Sequence, residues 1–293
     1  LVSLLAAPNA RAERIAARAC LLIKAGYEAD CDAVAALADS RLNNRKVPIA
    51  ESPDILSLAS RLLSKPDQTL TTTIDAKLQR YAYESLRTQL AALASQKANA
   101  GAVLVLNNET GEVLAYVANS GLLEDSVWVD GVQAQRQAGS TLKPFLYGLA
   151  IEKNRLTAAS VIDDAPINIS TPLGLYVPQN YEHDFKGAVT VRTALASSLN
   201  VPAVLTLGKV GVEPFWQLLN DVGFNLQEQA DYYGNALALG GADITVWQLA
   251  NAYRSLANGG VWRDVRLTAK DAGSPSFPEK RILSSQSSFI INT

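Results

Sequence analysis

The sequence contains no methionine, one histidine and two cysteines in 293 residues. A single histidine, His183, excludes a multi-histidine metal site and leaves a Ser-His-Asp triad no alternative histidine to draw on. Two cysteines are too few for a disulfide scaffold. Cys20 and Cys31 read as plain buried thiols, with a bridge left open for an oxidising compartment. Long apolar runs are missing too: stretches such as Leu4 to Ala7 and Ala102 to Leu106 fall far short of the roughly 20 residues that span a bilayer. No run of Lys or Arg occurs, and the formal charge of -2 gives no electrostatic reason to bind nucleic acid or an acidic membrane. What remains is an ordinary globular composition, 48% hydrophobic and 18% charged, which excludes a disordered tail or a fibre. The start at Leu1 and the apolar close Ser288-Phe-Ile-Ile-Asn-Thr293 give the expectation of a piece of a longer protein.

Thirteen alanines fall in the first forty residues, and Ile15, Ala19, Leu22 and Ile23 recur at helical spacing up to Gly26. A second helix is expected from Asp32 to Ser40. Asn43 to Pro48 and Glu51-Ser-Pro53 then break regular structure. The expected organisation is an N-terminal remnant over 1–45, a linker over 46–68 and one main domain over 69–293. That domain opens on Thr71-Thr-Thr-Ile-Asp75. Asp75 is an N-cap candidate, and Leu78, Ala82, Leu86, Leu90 and Leu93 place an apolar stripe along the helix behind it. Ala102 to Leu106 and Val113 to Val117 read as a hairpin around Asn107-Asn-Glu-Thr-Gly111. Helices follow at Pro144 to Lys153, Val191 to Ser197, Val212 to Val222 and Thr245 to Ala257, the last stopped by Asn258-Gly-Gly260. Helix, sheet, then a helical block makes the expected fold class α+β.

Ser140-Thr-Leu-Lys143 is the first chemical candidate. Residues three apart on a helix share a face, so the lysine amine can take the serine proton. Pro144 is tolerated only in a first turn, which puts Ser140 close to the helix start, where the dipole favours a developing oxyanion. With 22 Ser and 11 Lys, however, about 0.8 Ser-x-x-Lys pairs arise by chance. The second candidate is Ser198-Leu-Asn200, just before Val201-Pro202, which is expected to end the preceding helix. Its hydroxyl can relay a proton to or from Lys143, and its amide can hold a peptide group. The plain alternative is a helix C-cap. Asp163-Asp164 reads as an exposed turn before Pro166, His183 as a solvated loop residue, and Tyr232-Tyr233 as packing.

The order and spacing of the two motifs resemble the penicillin-reactive serine acyl transferases, whose third motif is Lys-Thr-Gly. Thr72-Thr-Ile-Asp75 with Leu78-Gln79, Thr110 to Tyr116, Gly139 to Phe145, Asn180-Tyr181, Ala194 to Ala203, Leu239-Gly-Gly241, Ala252-Tyr253 and Asn258-Gly-Gly260 narrow this. Together they resemble the transpeptidase domain of class A penicillin-binding proteins, and Val129 to Ala134 is similar to the 1C branch. The residues before Asp39 look like the end of the glycosyltransferase domain that precedes it in this family. The resemblance implies a penicillin-binding transpeptidase (serine β-lactamase-like) fold, an antiparallel sheet with a helical block. It implies acyl transfer on peptidoglycan stem peptides with Ser140 as nucleophile, Lys143 as base, Ser198 as proton shuttle and Asn200 as substrate holder. It implies no cofactor, no metal, β-lactams as covalent inhibitors, and a parent that also uses a lipid-linked glycan precursor. The implied place is the periplasmic side of the bacterial inner membrane, through an anchor outside this chain. None of the eleven lysines begins a Lys-Ser/Thr-Gly triplet, so by resemblance that motif lies beyond Thr293. A β-lactamase, a D,D-carboxypeptidase and a penicillin-recognising sensor would share the first two motifs.

Overall fold

A computed structural model describes residues 20, 31–32, 55–63, 68–98, 100–119, 129–171, 174–268 and 279–293. The chain divides into two compact units, Leu1–Pro53 and Asp54–Thr293. In the first, no disulfide joins Cys20 to Cys31, and both are partly exposed rather than buried as expected. The expected helices there otherwise lie outside the described residues.

The second unit begins inside the stretch read as a linker, with helix α1 (Ile55–Leu62). Its Leu58 is buried with Val113 and Tyr116, so apolar burial, not Pro and Asn content, decides this segment. Helix α2 (Ala76–Ala92) starts as expected: Asp75 Oδ1 accepts the N–H groups of Lys77 and Leu78 at 2.9 and 2.8 Å. Ala82 and Leu90 of the expected stripe are buried, Leu93 is exposed at the C-cap, and Tyr83 joins the buried face. Strands β1 (Val103–Leu106) and β2 (Val113–Val117) form the expected hairpin, with Val103 opposite Val117 and a register irregularity at Val105/Leu106. β2 is enclosed on both sides. Ala115 and Val117 pack with Ala82 and Tyr83, while Val113 and Tyr116 pack with Leu58, Val132, Val265 and Leu267. Gln79 of α2, fully buried, grips the Tyr116 backbone: its Nε2 donates to the carbonyl at 2.8 Å and its Oε1 accepts the N–H at 2.7 Å.

Strand β3 (Arg136–Gln137) leads into a 3₁₀ turn, Gly139–Leu142, continued by α3 (Lys143–Glu152). Then come β4 (Val161–Asp164), β5 (Ile169–Thr171), β6 (Gly174–Tyr176), β7 (Gly187–Thr190) and α4 (Val191–Ala196). Helices α5 (Asn200–Val210), α6 (Val212–Asp221) and α7 (Ala230–Tyr233) follow, and a 3₁₀ stretch, Gly234–Leu239, leads to β8 (Asp243–Ile244). The chain closes with α8 (Val246–Ala257), β9 (Val261–Trp262), β10 (Lys280–Arg281) and α9 (Ser285–Asn292). The described strands pair antiparallel as β1 with β2, β3 with β8, β4 with β7, β5 with β6 and β9 with β10. The class is α+β as expected, with the antiparallel pairing spread over small separate ladders.

Helix α5 is among the elements the sequence reading missed. Pro202 does not end a helix there but sits in the first turn of one, where its missing N–H costs nothing. The large core lies around α3: Phe145, Leu146, Tyr147 and Ala150 pack with Ala203 and Leu207 of α5, Phe215 and Leu219 of α6, and Leu256 of α8. Among the described residues no helix is long and apolar enough to cross a membrane.

Candidate active site

Ser140 sits one residue into the 3₁₀ turn, and its carbonyl accepts the backbone N–H of Lys143, the first residue of α3. The helical run therefore begins beside the serine, as Pro144 required. Three contacts hold this turn. Thr141 Oγ1 donates to Ala138 O at 2.7 Å, Tyr253 Oη of α8 donates to Thr141 O at 2.8 Å, and Gly139 N–H donates to Gly240 O at 3.1 Å. The last contact needs glycine: Gly240 has φ of +75°, and a Cβ there would stand 1.9 Å from the Gly139 carbonyl oxygen. The serine itself is exposed and opens on a cleft of about 590 Å³.

Lys143 is joined to the same cleft through Ser198 and Asn200, which line it. Its side chain is 1% exposed, and its Nζ donates to Ser198 O at 2.5 Å, Asn200 Oδ1 at 2.7 Å and Ser198 Oγ at 3.2 Å. Burial pulls the amine down from 10.5 to about 8, so its neutral form is reached at a lower pH than in a free lysine. Desolvation is the cause of this shift.

Ser198 lies between α4 and α5 with φ of +54°. A left-handed serine is uncommon and strained by about 1 kcal/mol or more. It persists because both backbone groups are engaged: its N–H donates to Leu195 O at 3.0 Å and its carbonyl takes the Lys143 amine. The C-cap reading was one residue out, since Ser197 is the C-cap of α4. Ser198 and Asn200 line the cleft with Ser140, and so do Tyr181, Glu182, Asp184 and Lys186. All four sequence-derived candidates therefore converge.

The remaining candidates separate. His183 is exposed and its Nδ1 pairs with Gln179 Oε1 at 2.8 Å, a loop role. Tyr232 and Tyr233 stack edge to face at 5.3 Å, with Tyr233 against the core. Asp163-Asp164 is a correction: the pair ends strand β4 rather than forming a turn, with Asp163 exposed and Asp164 fully buried. Alternation along the strand places them on opposite faces. Asp164 was missed because its partner, Asn180, lies far along the chain.

A hydroxyl at a helix start, opening on a cleft whose wall holds a second hydroxyl bonded to a buried amine of lowered pKa, is the set of groups that nucleophilic acyl transfer requires. Comparison with known proteins agrees: residues 101–291 match the penicillin binding protein transpeptidase domain. The chain belongs to the penicillin-binding protein transpeptidase family. It is 33% identical over 247 residues to penicillin-binding protein 1C of Escherichia coli, covering 82% of this chain and 31% of that protein. Of the solved structures, penicillin-binding protein 1A from Haemophilus influenzae matches at 26% identity and a TM-score of 0.57, over 66% of this chain and 34% of that one. The transpeptidase domain of penicillin-binding protein 3 from Burkholderia pseudomallei matches at a TM-score of 0.59 and 22% identity, over 78% and 70%, a likeness of fold alone. The chain spans less than a third of the length of the curated relatives it matches.

Proposed function

We propose that this domain is the D,D-transpeptidase of a bifunctional peptidoglycan synthase, with Ser140 as nucleophile. The observation that carries this is the buried Lys143 amine, held by Ser198 and Asn200 at the edge of the cleft on which Ser140 opens. Ser140 Oγ attacks the carbonyl between two D-alanines while its proton passes to the neutral Lys143 amine. The C–N bond breaks, the proton is returned through Ser198 to the departing D-alanine nitrogen, and an ester to Ser140 remains. A stem-peptide amine then attacks the ester, loses a proton to the same relay, and frees Ser140 with its proton restored. Asn200 holds the substrate backbone through its amide. Parent partners under this reading are stem peptides and a lipid-linked glycan precursor, and the location is the periplasmic side of the cell envelope.

The test is intact mass after incubation with a penicillin, with Ser140→Ala alongside. A single adduct absent from the variant supports the reading, and an adduct that survives the substitution sinks it. Incubation with a D-Ala-D-Ala stem analogue and an amine acceptor then separates the classes. A cross-linked product marks a transpeptidase, a hydrolysed one a carboxypeptidase, and neither a sensor.

A further inference from the structure

Asn180, in the wall of the cleft, and Asp164, which it contacts, form a pair of residues that the chemistry above leaves unused. Asp164 is fully buried, yet its carboxylate accepts the Asn180 amide, with Nδ2 at 2.9 Å from Oδ1 and 2.8 Å from Oδ2, and the Lys186 backbone N–H at 2.9 Å. Asn180, itself 4% exposed, also donates Nδ2 to Asp184 O at 2.9 Å. Its carbonyl oxygen faces the opposite way, accepting the N–H of Asn200 at 2.8 Å and that of Val201 at 3.4 Å. These are the first two N–H groups of α5, whose own N-cap, Leu199, has no side chain able to cap. Asn180 supplies that cap from another part of the chain. Next to it, Gln179 O accepts Asn200 Nδ2 at 2.8 Å. The backbone N–H and the amide nitrogen of Asn200 are thus both fixed by residues 179 and 180, which leaves Oδ1 aimed at the Lys143 amine.

We infer that Asp164 and Asn180 form a positioning pair for the reaction, in which the buried carboxylate sets the direction of the Asn180 amide and that amide holds Asn200 against Lys143. The inference rests on the reading of Lys143 as the base. A neutral residue at 164 would fill the same space at a lower desolvation cost. The carboxylate is an acceptor without donors and draws the NH₂ of Asn180 towards β4, in the same sense as Asp184 O, while the N–H groups of Asn200 and Val201 draw its oxygen towards α5. The buried charge therefore reinforces one orientation of the amide, and through it one orientation of Asn200. Tyr147, one helical turn beyond Lys143, is fully buried; burial first, and the Asp164 charge after it, push its hydroxyl upward.

The experiment measures acylation by a fluorescent penicillin across pH, with melting curves, for the parent chain, Ser140→Ala, Asp164→Asn, Asn180→Asp and the double exchange of Asp164→Asn with Asn180→Asp. Each single variant is expected to lose about tenfold or more in rate, since each places like groups face to face. Its acid limb is expected to move to higher pH as water reaches the amine. The charged groups lining the cleft, Glu182, Asp184 and Lys186, are unchanged throughout. The double exchange restores one donor facing one acceptor between positions 164 and 180 but leaves Asp184 O facing a carboxylate, so part of the rate should return. Folded single variants with the parent rate and acid limb overturn the inference, as does a rate loss that tracks only the unfolded fraction. Should the single variants fail to fold, the double exchange decides: recovered acylation supports the pair, and an inert or unfolded double exchange overturns it. A parent chain that is not acylated, or acylation that survives Ser140→Ala, strikes at the active-site reading instead.

Discussion

The Lys143 ammonium nitrogen lies 2.7 Å from Asn200 Oδ1, joining the first residue of α3 to the first residue of α5. Because α3 carries the nucleophile's turn and α5 follows the relay serine, this contact, with the bonds from the same nitrogen to Ser198, holds the two motifs together. It also gives the amine a fixed acceptor inside an environment that disfavours its charge.

Acylation should therefore follow the neutral form of Lys143. The rate of penicillin capture is expected to rise with pH through about 8, where burial places the amine, and to level off above it. Stability has the same sign. Below about pH 8 the amine is protonated in both folded and unfolded chains, and folding carries the full desolvation cost; between about 8 and 10.5 the folded chain has released a proton that the unfolded chain keeps, so stability rises with pH across that window. Parallel acylation and urea titrations would check both, and a flat acylation profile would remove Lys143 from the base role.

Lys143→Arg keeps the positive charge and some hydrogen-bonding capacity but cannot yield a neutral base, because a guanidinium stays protonated above pH 12. Acylation should be abolished and should stay absent at about pH 10. Recovery at high pH would show that proton removal is handled elsewhere.

Asn200→Asp places a carboxylate where the amide oxygen meets the Lys143 amine. An anion at that distance favours the ammonium, and the acid limb of acylation should move up by about one to three pH units. Stopped-flow rates across the alkaline range would measure it, and an unmoved limb would separate Asn200 from the amine's titration.

Gly240→Ala would drive a methyl group into the Gly139 carbonyl at a backbone angle that disfavours any side chain. We expect a loss of at least about 2 kcal/mol in denaturant unfolding and the disappearance of acylation. Wild-type acylation in this variant would show that the nucleophile's turn does not depend on that contact.

Gln79→Leu keeps the buried volume and removes both bonds to the Tyr116 backbone, leaving an N–H and a carbonyl unpaired inside the fold. The expected loss is about 2–4 kcal/mol. The denaturation midpoint should fall while the acylation rate of the folded fraction stays the same.

Much of this arrangement was legible from local signals. The Asp75 cap, the hairpin around Gly111 and the start of a helix beside Ser140 each rest on a few adjacent residues whose conformational preferences agree. The convergence of Ser140, Lys143, Ser198 and Asn200 was legible only as a pairing of motifs, since either alone has a common structural explanation. Helix α5 was obscured because proline serves both to stop a helix and to open one, and Asn-Val-Pro does not say which. Asp164 looked like half of a surface acid pair; its burial comes from strand alternation and from Asn180, neither visible in a window around Pro166. Gln79 entered only as part of the Leu78-Gln79 pair that carries the resemblance, and its partner is the backbone of a strand whose register no local pattern encodes.

The glycine contact behind the nucleophile also bears on the order of events as the chain folds. Gly139 rests on Gly240, and Tyr253 beyond it holds Thr141, so the turn that presents Ser140 cannot take its final shape until α6, α7 and α8 have docked. Closing so long a loop comes late and contributes to a slow approach to the native state. The ability to capture penicillin would then emerge after most secondary structure has formed, making a covalent label a clock for the last stage of assembly.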